Sequence, residues 1–360
     1  MRFERITSWQ LLMLLGSFLI GTSTIILATP LAGRSGWLAT LLALVPGVLA
    51  LLMWWQLSLL WKKPLITGIL EHLGPILGSA LSLLYLLYFL LLASLITADV
   101  NFLSSVAVLP ETPKLVFASG TLLLSALAIR GGLESIGRLA EILLPLIGLA
   151  IVTGAILILA TPQLVNWNYL FPLVDEGWLQ TIRASISIFC FPFGEVMIFT
   201  SILPFVLDLK DTKGPSLAVY ILAGLLLAGL STLQTAVLGE EITRTTFPGF
   251  SLLREIRVAD FVTRLEVLGI FVWSLASFVK VSIYFWALAT GLAQLLGLSD
   301  YRPLLFPLGI IITLLSVTIF TNFSDLSLFV VAIYPLLTLP MQLLIPLALF
   351  ILTRLKPTKP

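Results

Sequence analysis

Three charged side chains lie within long apolar stretches of this sequence, where a charge needs a specific partner. Asp99, Glu195 and Lys280 each have apolar residues on both sides. A charge at the centre of a bilayer costs about 2.5–3.5 kcal/mol on insertion scales, so such residues pair, contact exposed backbone or line water. Glu195 could accept freed backbone amides or pair with Lys280. We therefore predict an ion-pair or coupling role for all three residues; an ion pair that only sets helix register is the alternative.

Two apolar stretches contain helix-breaking sequences at corresponding places. The first holds Gly21, Thr22 and Ser23, and the sixth holds Phe-Pro-Phe-Gly-Glu at 191–195. A broken membrane helix survives only where protein or a polar cavity covers its backbone, and paired breaks are typical of transporter binding sites. The helix that resumes after Gly21 offers amides to a carboxylate. We predict that these three residues bind a small polar ligand, with Phe193 as an apolar wall.

The eighth apolar stretch carries further polar residues around its central lysine. Ser277, Lys280 and Tyr284 share one helical face, and Ser282 and Trp286 share another. In an inverted-repeat fold the first and eighth spans are neighbours, so the lysine could replace a coupling cation or meet a carboxylate ligand. The sequence leaves open which face meets the cavity.

The composition is that of an integral membrane protein. Apolar residues make up 59% of the 360 residues and charged residues 11%, whereas a soluble domain carries about a quarter charged residues. Removing the apolar spans leaves no soluble domain, so we predict a single transmembrane domain over 1–360. The net charge of +2 and the scattered basic residues give no indication of nucleic-acid binding.

About ten membrane spans are predicted from runs of about 20 apolar residues. They lie at 8–30, 37–61, 74–106, 114–129, 136–160, 179–207, 216–239, 261–296, 303–320 and 326–352. Spans one and six both contain breaks, and spans three and eight are both unusually long. In each pair the two spans occupy corresponding positions if the chain consists of two halves of five spans. We predict an all-α five-plus-five inverted repeat, with repeat one at about 6–160 and repeat two at about 178–353.

Loop charges predict the orientation. Lys and Arg collect in the connections on the side of the N-terminus, so both termini are expected in the cytoplasm. The charged N-terminus precedes an apolar run long enough to be a retained first span rather than a cleaved signal. The polar segment 244–264 has apolar spacing suited to a short amphipathic helix on the outer face. It could be a lid, a docking surface or a plain connecting loop.

The sequence shows no catalytic constellation. It has one histidine, His72, and one cysteine, Cys190, and it lacks a metal-ligand set, a phosphate-binding loop and a nucleotide-binding signature. A single cysteine cannot form an internal disulfide. We therefore expect neither an enzyme nor a bound cofactor or metal.

Several short motifs together resemble the spore germination permease family, the B subunits of GerA-type nutrient germinant receptors. They are ITSWQ at 6–10, IGT at 20–22, AGRSGWL at 32–38, RLE at 264–266, Trp273, FVKVS at 278–282 and LSDYR at 298–302. The resemblance covers essentially the whole chain. The run from RLE to Lys-x-Ser is the most specific part of it.

The resemblance implies membership of the amino acid–polyamine–organocation transporters, with a LeuT-like fold of ten spans and broken helices 1 and 6. It further implies a germinant sensor in the spore inner membrane that works with an A-type membrane subunit and a C-type lipoprotein. Its germinants would be amino acids, sometimes sugars or nucleosides. By position, Gly21 and Thr22 match the family's first-span site, and Ser282 and Trp286 its eighth-span site.

Two other functions remain open at the level of sequence. One is a proton-coupled amino acid permease in which Asp99, Glu195 and Lys280 form the proton relay. The other is an ion or water conduit within the receptor complex. A sensor and a pump need the same pocket, so the residues alone do not separate them.

Overall fold

The structure is a computed structural model, and it describes residues 4–24, 29–107, 111–245, 247–255, 265–320 and 322–355. Within these ranges the regular structure is helical, apart from an isolated parallel bridge between Ile6 and Val206. The α-helices are α1 (Ser8–Ile20), α2 (Gly36–Trp61), α3 (Leu65–Ala107), α4 (Lys114–Arg130), α5 (Leu133–Leu159), α6 (Trp178–Ile188), α7 (Lys213–Leu238), α8 (Pro248–Glu255), α9 (Leu265–Leu296), α10 (Leu305–Thr318), α11 (Phe323–Leu328), α12 (Tyr334–Leu339) and α13 (Ile345–Leu355).

The first span breaks where the sequence predicts. Thr7 and Gln10 form a reciprocal capping box that starts α1, each side chain bonding the other's backbone amide. The helix ends at Gly21, and Thr22–Thr24 forms a single 3-10 turn. The rest of the predicted span, 25–28, lies outside the described residues. The backbone thus leaves the α-helix while still inside an apolar stretch.

The sixth span is broken as well. After α6 the chain makes a wide turn at Phe189–Phe193, in which Phe191 is extended (φ −143°, ψ 111°). It then resumes as the 3-10 helix Gly194–Ser201. Pro192 cannot donate a backbone hydrogen bond, which explains why a regular helix stops here. Glu195 is therefore placed in the first turn after the break.

Helix packing follows the predicted repeat. Helices α2, α3 and α4 each contact their repeat partners, α7, α9 and α10. Contacts between non-equivalent spans also come in matched sets: α4 packs on α9 as α10 packs on α3, and α1 packs on α7 as α6 packs on α2. A two-fold repeat requires such reciprocity, so the five-plus-five arrangement is confirmed. The proposed repeat bounds, 6–160 and 178–353, stay a prediction.

The described helices are those of an integral membrane protein. Seven helical stretches are long and apolar enough to cross a membrane, and the stretch Arg302–Thr318 is shorter. The predicted third span begins too late, because α3 starts at Leu65 and bends at Gly74 (φ +77°) before Pro75. The last span is interrupted by wide turns at Phe329–Ile333 and Pro340–Leu344.

The short helix predicted in the long polar segment is present as α8. It packs against α7 and α9. Leu252 is buried, and Leu253 lies so close to Gly269 that a β-carbon there would overlap it. Residues 256–264 lie outside the described part. The segment's role as a lid, docking surface or connector stays a prediction.

Candidate ligand-binding site

The two innermost charges of the site form an ion pair. The ammonium of Lys280, on α9, contacts the carboxylate of Glu195, which follows the sixth-span break. Their side chains are 0% and 1% exposed. The hydroxyl of Tyr334 donates a hydrogen bond to the other oxygen of Glu195. A buried carboxylate thus has both a cation and a neutral donor, which compensates for its lost hydration.

Lys280 also reaches the first-span break. Its ammonium donates to the Thr22 hydroxyl at 3.4 Å. It lies 4.9 Å from the ring centroid of Phe18 and 4.3 Å from that of Phe191, within range for cation–π attraction. One lysine therefore contacts both broken helices.

The backbone freed at the first break is covered by polar side chains from two other helices. Trp273 Nε1 donates to the Thr22 carbonyl at 3.2 Å, and Gln234 Nε2 donates to the Thr24 carbonyl at 3.3 Å. The Thr24 hydroxyl donates to the Gly21 carbonyl at 3.3 Å. Three carbonyls of the break are thereby satisfied by protein, as an apolar setting demands.

The sixth-span break is held from the last span. Gln342 is fully buried, and its amide nitrogen donates to the Cys190 carbonyl and to the Tyr88 hydroxyl, both at 2.9 Å. Tyr284, one turn beyond Lys280 on α9, is also fully buried. The Lys280–Tyr284 face of α9 is thus the one turned toward the breaks.

The structure places the predicted binding residues in more than one location. Thr22 lies at Lys280, and Ser23 is buried next to it in sequence, its hydroxyl having no hydrogen-bond partner among the described residues. Phe193 instead packs its ring on Tyr220 (centroids 5.7 Å apart), and its carbonyl accepts the Tyr220 hydroxyl at 3.1 Å. It faces α7, so the apolar wall at Lys280 comes from other rings.

The other predicted α9 residues lie apart from the ion pair. Ser282 is two positions beyond Lys280, about 200° around the helix, and is buried; within the described part of the chain its hydroxyl has no hydrogen-bond partner. Trp286 donates from Nε1 to Glu4 at 3.2 Å and packs edge-on against Phe205. Its indole therefore belongs to the end of the bundle where α1 begins, not to the breaks.

Asp99 does not join the ion pair. It is half-buried on α3 and makes no hydrogen bond or ion pair with the residues that the structure describes. The expected pairing of the buried charges therefore holds for Glu195 and Lys280 alone.

A cluster around Glu4 closes the end of the bundle where α1 begins. Glu4 accepts hydrogen bonds from the Leu133 amide (3.1 Å), Trp286 Nε1 (3.2 Å) and the Tyr301 hydroxyl (2.8 Å). Burial, reinforced by the Glu4 carboxylate, raises the pKa of Tyr301. Ile6 extends the closure by exchanging two backbone hydrogen bonds with the segment after the sixth span. The Glu4 cluster (Glu4, Leu133, Trp286 and Tyr301) and the adjoining Ile6 contacts thus bring five separate parts of the chain together.

Sequence reasoning missed the contributions of Tyr334, Gln342 and Glu4. A signal for the first two was present in the last apolar stretch, where polar groups are otherwise sparse: Tyr334 directly precedes Pro335, and Gln342 lies two positions after Pro340. Attention to uncharged polar residues near helix breakers would have found them. Glu4 had no such signal, because it lies in a charged terminus.

A family model described as "Spore germination protein" matches residues 5–325 of this chain. The chain belongs to this family. Among curated relatives, this spore germination protein is 31% identical to "Spore germination protein KB" of Bacillus subtilis (strain 168), over 98% of this chain and 95% of the relative. It is 23% identical to "Spore germination protein YndE" of the same organism, over 81% of each chain. The family expected from the motifs is confirmed.

Two solved transporters share the fold of this spore germination protein. Mhp1, a nucleobase-cation-symport-1 family transporter in a closed conformation with bromovinylhydantoin bound, aligns with a TM-score of 0.64 over 91% of this chain and 75% of its own. MhsT in complex with L-phenylalanine aligns with a TM-score of 0.64 over 98% and 99%. Both are 13% identical to this chain, so they show the fold alone. The predicted LeuT-like fold is confirmed.

Proposed function

We propose that this spore germination protein is the membrane subunit of a nutrient-germinant receptor. It binds a small germinant, an amino acid, between the broken first and sixth spans, and binding triggers germination. The observation that carries the proposal is the contact of one buried lysine, Lys280, with both breaks. A ligand that moves either break must change the surroundings of this ammonium.

The chemistry of the site suits a zwitterion. Lys280 and the amides near Thr22 offer positive charge to a carboxylate, while Glu195 and the carbonyls of the breaks can accept hydrogen bonds from an ammonium. Because the ion pair is already neutral, a zwitterionic ligand would add no net charge to a buried site. Phe18 and Phe191 supply apolar contact for a side chain.

The proposal includes the setting of the receptor. Both termini lie in the cytoplasm, the protein is in the spore inner membrane, and it assembles with A-type and C-type receptor subunits. The Glu4 cluster then closes the cytoplasmic end of the site. Co-purification with both subunits from spores tests this assembly.

The proposed ligand is tested by thermal unfolding of the purified full-length protein with each amino acid in turn. A ligand at 100 times its Kd stabilises the folded state by about 2.7 kcal/mol. We expect one or a few amino acids to stabilise the wild type and Lys63→Met, whose lysine forms an exposed pair with Glu71, but not Lys280→Met. Stabilisation by no amino acid, or equal stabilisation of Lys280→Met, would count against the site.

Asp99 favours a second function, a proton-coupled permease. Its half-buried carboxyl group has no partner among the described residues and lies on α3, which packs against α9. A carboxyl group in that position can exchange a proton without breaking an ion pair. Uptake of a stabilising amino acid into proteoliposomes, driven by a pH gradient and lost in Asp99→Asn, would establish transport. Binding of the amino acid without uptake would favour the sensor function over transport.

A further inference from the structure

A cleft of about 540 Å³ lies at the end of the bundle where α1 begins. Three polar parts of the chain line it: the residues before α1, the connection between α2 and α3, and the last turn of α9. Residues 204–207, which follow the sixth-span break, form an apolar wall. The volume is typical of a small-molecule site, and neither Lys280 nor Glu195 lines the cleft.

Two cationic side chains line this cleft without a partner. Arg5 and Lys62 are exposed, and neither side chain forms an ion pair or a hydrogen bond with a residue that the structure describes. Glu4 is the one carboxylate among the described lining residues, and both of its oxygens accept hydrogen bonds within the Glu4 cluster. The cleft therefore carries an excess of positive charge. An anion between the two cations would replace their repulsion by two attractions.

Further hydrogen-bond donors adjoin the two cations. The Thr67 hydroxyl donates to Gln294 Oε1 at 3.1 Å, which leaves Gln294 Nε2 free to donate to a ligand. Pro64 and Thr67 also line the cleft, and the Gly68 amide makes the first helical hydrogen bond of α3, to the Pro64 carbonyl at 2.8 Å. The positive end of α3 thus adjoins the cleft and adds to its attraction for an anion.

We infer that this cleft binds a phosphate group through Arg5, Lys62 and Gln294 Nε2. A phosphate presents several acceptor oxygens to donors that come from three parts of the chain, and its charge compensates both cations. Leu207, on the apolar wall, is 50% exposed and offers contact to the organic part of a phosphate ester. A soluble phosphate and the headgroup of an anionic phospholipid carry the same oxygens, so either can supply this group.

A bound phosphate would stabilise the closed end of the bundle. Arg5 lies between Glu4, at the centre of the Glu4 cluster, and Ile6, which exchanges two backbone hydrogen bonds with the wall at 204–207. A phosphate shared by Arg5 and Lys62 connects this N-terminal segment to the turn between α2 and α3. Movement of the segment away from the bundle would then have to break the phosphate contacts, so opening should be slower when the cleft is occupied.

Inorganic phosphate tests the site by thermal unfolding of the purified full-length protein in detergent, against chloride at the same ionic strength. We expect a saturable rise in the Tm of the wild type. Lys62→Gln and Lys63→Gln are a matched pair, because both lysines are exposed but Lys63 does not line the cleft and pairs with Glu71. Binding should be about tenfold weaker in Lys62→Gln and in Arg5→Gln. Lys63→Gln should match the wild type, and it controls for general stabilisation by phosphate as a co-solvent.

Lipid nanodiscs separate the two sources of the phosphate group. If a headgroup occupies the cleft, phosphatidylglycerol should stabilise the wild type more than Lys62→Gln relative to phosphatidylcholine, and inorganic phosphate should add nothing in phosphatidylglycerol. If a soluble phosphate occupies it, inorganic phosphate should stabilise the wild type equally in both lipids. Either result supports the site. Equal losses in Lys62→Gln and Lys63→Gln overturn it, as does the absence of a Lys62-dependent effect of both phosphate and phosphatidylglycerol.

The effect on the closed end has its own readout, the reaction of the buried Cys190 with a maleimide. Saturating phosphate should slow this reaction several-fold in the wild type and in Lys63→Gln. At the same concentration it should have little effect in Lys62→Gln. An unchanged rate with phosphate bound would refute the stabilisation of the closed end while the binding site stands. These measurements need no amino acid ligand, so their failure is distinct from a failure of the proposed function.

Discussion

Trp273 and Thr22 are joined by a hydrogen bond of 3.2 Å from the indole nitrogen to the main-chain oxygen. Through it, α9 stabilises the backbone of the first-span break. Lys280, two turns further along α9 than Trp273, contacts the Thr22 side chain. The same residue is thus held by its carbonyl and by its hydroxyl from one helix. A movement of α9 relative to α1 has to break or remake both contacts, which makes this pair of spans the natural place for a ligand to alter the structure.

The ion pair should show strong coupling in a double-mutant cycle. Lys280→Met or Glu195→Gln alone leaves a buried charge without its partner, which costs about 3–5 kcal/mol. The double variant leaves neither charge without a partner. Its free energy of unfolding should therefore be higher than the value obtained by subtracting both single-variant losses from that of the wild type. Thermal unfolding in detergent measures all four proteins. Strictly additive losses would show that the two residues do not stabilise each other.

Gly21→Leu should destroy the ligand response while the protein still inserts. A β-carbon at this position would lie 3.0 Å from the Ser17 carbonyl oxygen and 3.4 Å from that of Ala276, and the larger side chain would push α1 away from α9. Overpacking of this kind costs about 1–3 kcal/mol. Gly229→Leu is the control, because nothing lies within 4 Å of its β-carbon position. Ligand-induced stabilisation that is retained in Gly21→Leu would contradict the placement of the site.

Glu4→Gln should loosen the closed end of the bundle. The change removes the charge that three donors share, from Leu133, Trp286 and Tyr301. Cys190 is the single cysteine and is fully buried, so its reaction with a maleimide reports opening of the bundle. We expect several-fold faster labelling in Glu4→Gln. Glu71→Gln, at an exposed pair, should label like the wild type; equal rates in all three proteins would mean that the Glu4 cluster does not control opening.

The pair between Arg34 and Asp175 should make stability depend on acid pH. Arg34 binds both carboxylate oxygens, at 3.1 and 2.6 Å, and its hydrogen bond holds the pKa of Asp175 below its usual value. The stabilisation, about 1 kcal/mol, is therefore fully present above the unfolded-state pKa of about 3.9. It is lost as the pH falls through the lower folded-state pKa.

Asp175→Asn should accordingly lower the Tm at neutral pH, and the difference from the wild type should shrink below about pH 4. Asp300→Asn, at a more exposed pair with Arg302, should have a smaller effect. A difference between Asp175→Asn and the wild type that stays constant down to pH 2 would show that the carboxylate is not what stabilises this connection.

Local residue types were enough to predict the class, the breaks and the buried charges. Composition alone excludes a soluble domain, and Gly21 and Pro192 interrupt helices for reasons that lie in their own backbones. Lys280 and Glu195 stood out because a charge within an apolar span is costly wherever it points. Each of these inferences depends on a residue and its immediate neighbours in sequence, so each could be made before any tertiary structure was known.

Only the tertiary structure determined which side chains lie together at the two breaks. Membrane helices such as α2 and α10 are apolar all round, so their sequences do not reveal the rotation that faces a neighbour. For that reason Trp286 and Phe193, predicted at the site, lie at the Glu4 cluster and against α7. Tyr334 and Gln342 bind Glu195 and the Cys190 carbonyl at the sixth-span break, although they lie 139 and 152 residues further along the chain. Helix rotation and long-range packing, rather than local residue type, set these contacts.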